Sequence, residues 1–243
     1  MSLEGYQQQF LERLGRFHDD AVVAARFTFL HLAFRYRSSR TPTLVEKLDP
    51  DAGFWNSTLH AVQLASAIAI GRVFDDNRDA RIARYLLDYA TDYYKIFSRQ
   101  ALASRKGPEH ASDEYEPTQA DFNVLKVTLV QHAALFREMI GPLRDSAFAH
   151  SARMSHEQIE SLFGRVRIEE YERLAVFGVR LHHALFNCYY NGGPPLLLDV
   201  RYDVATIAAH TIGDRQISTE PEYVVKETLA FLDRLGASTA PST

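Results

Sequence analysis

Phe122, Leu125, Leu129, His132, Phe136 and Met139 follow one another at alternating gaps of three and four residues. That period belongs to a helix with one packed stripe, and the stripe must be buried against other helices for the chain to fold. The same period recurs through most of the sequence. Residues 4 to 37 repeat it with Phe10, Leu14, Phe17 and Ala21 and predict a long helix. A second helix is expected from about Asp51 to Phe74; from Leu59 it is apolar on nearly all sides, which predicts the central, most buried helix. Residues 79 to 106 carry Tyr85, Tyr89, Tyr93 and Phe97 at four-residue spacing, a ladder along one ridge that suits a core or an interface. Another long helix is predicted from roughly Arg167 to Tyr190, with Leu174, Phe177, Leu181, Ala184 and Cys188 as its seam. EPEYVVKETLAFLDRL predicts a last amphipathic helix.

Breaks fall where composition changes. SSRTPTLVEKLDP reads as a loop, and Gly107 to Asp121 as a surface loop rich in Gly, Pro, Ser and acid. Asp75 and Asp76 beside Asn77 suit a turn and the N-cap of the next helix. Gly141 ends the 122–139 block, and Pro142 is tolerated in the first turn of a new helix. Ser155 is an expected N-cap for a short helix to about Phe163. NGGPP at 191 to 195 stops the penultimate long helix; LLLDVRYDV is expected to be extended, and residues 203 to 212 to form a helical turn or two. No alternation of strands and helices occurs, so the fold class is all-α.

Composition narrows the function. At 243 residues and 46% hydrophobic, the chain can bury roughly 70 to 75% of its unfolded surface in a core of its own. A net charge of -4 argues against a generally cationic nucleic-acid coat, so any such contact must be local. Cys188 is the only cysteine, which excludes an internal disulfide and fits a reducing compartment. The opening MSLEGYQQQFLERL is polar with an early acid, unlike a signal or transit peptide, and no apolar run reaches about 18 residues. A soluble, cytoplasmic protein without a membrane span is expected. Neither GxxxxGK nor GxGxxG is present, and neither His-Glu-x-x-His nor the Glu-x-x-His pair of di-iron bundles occurs, so neither metal nor cofactor is expected.

Several polar groups suit either chemistry or structure. Arg35, Arg37 and Arg40 interleave with Phe34 and Tyr36, a pattern that can grip phosphates and stack bases, or simply offset a helix dipole. His132 lies on a packing seam, where a hydrogen-bonded core histidine is the simpler role. His182 and His183 are adjacent and must point to different sides of their helix. Arginine followed five to seven positions later by histidine is a permissive pattern that occurs four times: Arg13 with His18, Arg26 with His31, Arg105 with His110, and Arg144 with His150. Only Arg144 is followed by a short polar acceptor, Asp145, and only that pair is separated by small residues.

RDSAFAH, placed after a long helix in an all-helical chain, resembles the Arg-polar-x4-His signature of the HEPN superfamily. PLRDSAFAHSAR, with the upstream VQLASAIAIGRVFDD helix, is most similar to its phage abortive-infection branch. The resemblance spans roughly residues 10 to 190, and only the short motif is diagnostic. It implies a HEPN-like bundle of four long helices plus extra helices, a single domain over residues 1–235 with a disordered tail at 236–243, and a two-fold homodimer. It further implies a metal-independent endoribonuclease without cofactor, an RNA substrate, and a phage-defence or toxin-antitoxin role with an antitoxin protein as partner. Arg144, Asp145 and His150 match the family's arginine, polar residue and histidine, with Ser146 and Arg153 as neighbours for substrate binding. The tyrosine that some members carry two positions after the histidine is here Ala152, which departs from the pattern needed for nucleotidylation by an antitoxin. Two other readings stay open: an inactive module that binds nucleotide, RNA or a partner, and a helical assembly protein whose motif cements a dimer.

Overall fold

The stripe predicted for the first block is the inner face of helix α1 (Leu3–Ser38), in which Phe10, Leu14, Phe17 and Ala21 are all buried. Ser2 caps it, its hydroxyl accepting from the Gly5 amide at 3.3 Å. The computed structural model describes residues 2–74, 82–111, 113–142, 167–198, 203–209 and 219–237. Within these, regular structure is helical throughout and no strand forms.

Pairings fix the helix directions. Helix α3 (Ala52–Phe74) runs antiparallel to α1, since Thr28 meets Ser66 at 2.6 Å and Asp20 meets Arg72 at 3.4 Å. Helix α4 (Ile82–Asp92) continues the descent, its Tyr89 hydroxyl donating to the Tyr6 carbonyl at 3.0 Å. Helix α6 (Gln119–Met139) climbs back beside α4: Lys126 pairs with Asp88 at 2.8 Å, and Gln119 reaches the Thr91 carbonyl. Helix α7 (Ile168–Asn191) descends against both α1 and α6, with Phe10 near Tyr189 and His132 near Phe177. The result is an up-down-up-down arrangement of α1, α3 with α4, α6 and α7 around one core of Phe, Leu and Ala side chains. Helix α9 (Glu220–Ala237) lies parallel to the second half of α1, tied by Arg26 to Glu220 and Arg37 to Asp233, at 2.7 and 2.8 Å. Helix α8 (Val204–Ala209) joins them in a second apolar cluster with Phe29, Val179 and Val225.

Several expectations are corrected. The stretch read as a loop at 38–50 contains helix α2 (Pro42–Leu48) and a 3-10 turn at Asp49–Asp51. Pro42 starts the helix, and buried Leu44 and Leu48 hold it against Phe34 and Leu232. The central helix is α1 and not α3, whose first half is only partly covered, with Phe54 64% exposed. All-round apolarity does not reveal how many neighbours a helix will find. The 79–106 helix is interrupted: α4 ends at Asp92, a 3-10 turn spans Tyr94–Phe97, and Ser98 caps α5 (Arg99–Lys106) by accepting from Ala101. The aromatic ladder therefore splits. Tyr89 and Tyr93 stay in contact at 4.6 Å, while Phe97 turns into the core against Phe10 and Phe122. In the predicted 107–121 loop a 3-10 turn forms at Pro108–His110, and α6 begins early because Thr118 and Asp121 make a reciprocal capping box. Residues 196–198, expected to be extended, form no strand. Gly192, at φ +68°, ends α7 in the left-handed conformation that favours glycine.

Helices α1 and α7 pack closely at Gly178, where an added Cβ would stand 3.1 Å from the Ala21 Cβ, with Val73 behind. Gly178→Val should lower the unfolding free energy by about 2 kcal/mol through overpacking. Urea denaturation checks this; an unchanged midpoint would mean that the two helices do not meet at this separation.

Candidate functional site

Arg144, Asp145, Ser146, His150 and Arg153 lie outside the described residues, as do Asp75, Asp76 and the short helix expected after Ser155. What the structure describes is the frame that carries the motif's segment. The chain leaves the frame after Gly141 and Pro142, just beyond α6, and re-enters at Arg167, the N-cap residue of α7. Because α6 and α7 are antiparallel neighbours, exit and re-entry fall at the same end of the bundle.

Between these two helices sits His132. Its imidazole stacks on Phe177 at 4.3 Å and lies parallel to Phe74 at 6.4 Å, and Nδ1 contacts the Thr128 carbonyl at 2.8 Å. Burial lowers its pKa, helped by Arg173 and Arg180 on α7. This is the hydrogen-bonded core histidine that its seam position suggested.

The other three arginine–histidine pairs are built into structure. Arg26 forms its ion pair with Glu220, and His31 is buried, its pKa lowered to about 4 by desolvation and by Arg35. Arg105 donates to the carbonyls of Ile96 and Tyr189 and packs over the Tyr189 ring at 4.0 Å. Arg13 lies 4.8 Å over the Tyr89 ring. The basic cluster at the end of α1 is likewise occupied. Arg37 pairs with Asp233, and Arg40 folds back onto Tyr36 at 3.9 Å, so its arginines close a helix end.

His182 and His183 diverge as their adjacency required. His182 turns toward His18, with ring centroids 4.5 Å apart, and desolvation with its two histidine neighbours lowers its pKa to about 4. His183 is exposed. It lines a groove of about 540 Å³ together with Arg180, Phe186, Asn187 and Asn191 of α7 and Leu196 and Leu198 of the following segment. Cys188 is buried among apolar groups, which push its thiol up to about 12 and keep it an unreactive core residue. Among the described residues no group of three His, Cys, Asp or Glu is placed to hold a metal ion, and no helix is long and apolar enough to cross a membrane.

Two features escaped the sequence reading. Glu172 is held by burial, and by Asp203 and Glu169, at a pKa of about 7, while the Val204 amide opposes the shift. Asp203 comes from beyond the α7 stop, so no local spacing signals this cluster. The groove did leave a signal: His183, Asn187 and Asn191, which line it, recur at four-residue spacing beside Phe186.

Comparison of the chain with protein-family models, curated proteins and solved structures finds no match. The functional reading therefore rests on the residues themselves.

These environments give opposing pH dependences. His31 and His182 stay neutral in the fold down to about pH 4 but protonate near 6.5 when unfolded. The unfolded chain then holds more protons between those values, so stability falls as pH drops through that window. Glu172 acts the other way: its folded form takes a proton near pH 7, its unfolded form near 4.5, and stability grows as pH falls through that range. The urea midpoint should thus decrease from pH 7 to pH 5, less steeply in His182→Gln and more steeply in Glu172→Gln. Identical profiles for all three proteins would contradict the burial of these groups.

Proposed function

We propose that this chain is a metal-independent endoribonuclease of the HEPN type, acting in phage defence or as a toxin restrained by an antitoxin. The observation that carries the reading is the Arg144–Asp145–His150 motif in the sequence. Of the four arginine–histidine pairs that fit the five-to-seven-residue window, the other three have one or both members committed to ion pairs, carbonyls, aromatic rings or the core. Arg144 with His150, outside the described residues, alone has the adjacent acid and small spacer of the superfamily motif. Two further facts agree with it. The described chain is all-helical, and the motif falls in the connection between two long antiparallel helices of a bundle.

The chemistry needs no cofactor. His150 removes the proton from a ribose 2'-OH, whose oxygen attacks the adjacent phosphorus. The bond from phosphorus to the 5'-oxygen breaks, and an acid returns a proton to that oxygen, leaving a 2',3'-cyclic phosphate and a 5'-hydroxyl. General acid-base help of this kind is worth about 10² to 10⁴ in rate. Arg144 forks onto two phosphate oxygens and stabilises the charge that grows in the transition state. Asp145 orients the arginine or the histidine, and Ser146 and Arg153 hold the substrate. One histidine cannot be base and acid at once, so the proposal includes a homodimer in which His150 of the partner subunit supplies the second role.

Purified protein incubated with total RNA in EDTA should generate fragments ending in cyclic phosphate. Arg144→Ala and His150→Ala should each reduce the rate by about 10² or more. RNA binding without cleavage by the wild type would favour an inactive binding module instead. Conversion of both variants to monomers would favour a purely assembling role for the motif.

A further inference from the structure

Helices α1 and α7 run antiparallel and pack closely where Gly178 faces Ala21. One turn further toward the start of α1, the same register sets His182 opposite His18, and their ring centroids stand 4.5 Å apart at an interplanar angle of 52°. The core side of this turn is already filled by Leu14, Phe17, Leu181 and Leu185, all buried. The two imidazoles therefore lie at the solvent edge of the seam, His18 exposed and His182 half-buried. Apolar packing below them fixes both backbones, and with them the separation of the rings.

The ring nitrogens are what this packing leaves unused. His182 touches the rings of His18, His183 and Phe186, and no hydrogen bond engages it among the described residues. A half-buried imidazole without a protein partner is costly unless water or a ligand serves its nitrogens. Desolvation and its two histidine neighbours lower its pKa to about 4, so at neutral pH the ring has no extra proton to displace. On the other helix, His18 Nδ1 faces the Asp19 carboxylate at 3.5 Å, which leaves Nε2 as its available nitrogen.

We propose that His18 and His182 form a two-histidine site for a divalent transition-metal ion, zinc or copper, which clamps α1 to α7. Neutral imidazole suits both ions. With metal–nitrogen bonds of about 2.0 to 2.1 Å, two rings on one ion have centres roughly 4.5 to 5 Å apart, so the ion is taken up by turning the rings with the backbones in place. A carboxylate on the second ring nitrogen, where Asp19 stands beside His18, orients a ligating imidazole and raises its basicity. His183 is not a ligand: adjacent residues of a helix do not share a face, and its ring centre is 6.2 Å from that of His182. Water completes the coordination shell, since no third His, Cys, Asp or Glu among the described residues is placed to join the pair. Calcium and magnesium are excluded as occupants because they take oxygen ligands. The rival is a ring contact that only packs. The ion has no part in RNA cleavage, and the site stands or falls independently of the ribonuclease reading.

Zinc chloride titrated calorimetrically into the full-length protein, after stripping with chelator, should reveal a site that depends on both histidines. His18→Asn and His182→Asn should each weaken binding by about tenfold or more, since even a residue that only orients a ligand is worth about 10- to 100-fold in metal affinity. His183→Asn should leave it unchanged. Excess zinc should raise the melting temperature of the wild type, because the ion binds the folded chain across two helices. It should not do so in His18→Asn, an exposed position whose replacement leaves metal-free melting unaltered. Copper(II) on the wild type should show electron paramagnetic splitting from two imidazole nitrogens, and from one fewer in His18→Asn. Zinc affinity equal in the wild type and His18→Asn, or lost in His183→Asn, overturns the assignment and leaves His18 and His182 as a packing contact.

Discussion

Burial of α1 along its whole length is the constraint from which the rest of the architecture follows. A 36-residue helix spans about 54 Å, far more than a single partner helix of ordinary length can cover. Its first half is enclosed by α3, α4 and α7 through Phe10, Leu14, Phe17 and Ala21, and its second half by α8 and α9 through Ala25, Phe29, Leu32 and Ala33. Small residues at Ala21, Ala24 and Gly178 let α7 come close, and there the packing has no slack. The C-terminal helices are therefore a cover for the half of α1 that the four-legged bundle leaves open. Arg26 with Glu220 and Arg37 with Asp233 set the register of that cover, although exposed pairs of this sort contribute little stability on their own.

Polar groups inside the bundle follow the same logic. Thr28 and Ser66 share a 2.6 Å hydrogen bond where α1 crosses α3, Ser66 also bonds to the Tyr171 side chain, and the Tyr171 hydroxyl donates to the Gln63 carbonyl. Each hydroxyl is satisfied by a different helix, so the network fixes α1, α3 and α7 at one mutual height as apolar packing alone would not. His132 plays a comparable part between α6 and α7, filling an aromatic site while its ring nitrogen contacts a backbone carbonyl.

Much of this was legible because a helix announces itself through a period. The seams Phe122–Leu125–Leu129–Phe136 and Leu174–Phe177–Leu181–Ala184–Cys188 are buried as read. The motif at Arg144 to His150 was legible as a pattern of residue types, and its geometry lies outside the described residues. What the period conceals is partnership. The apolar residues of α3 promised a central helix, yet Phe54 is mostly exposed, because burial depends on which neighbours arrive from distant sequence. Short elements were lost for the opposite reason. Helix α2 is seven residues long; Pro42 opens it, but Leu44 and Leu48 packing on α1 and α9 hold it, a tertiary cause that a short window does not show. The Tyr93 break failed to show because aromatic spacing continues unbroken through it.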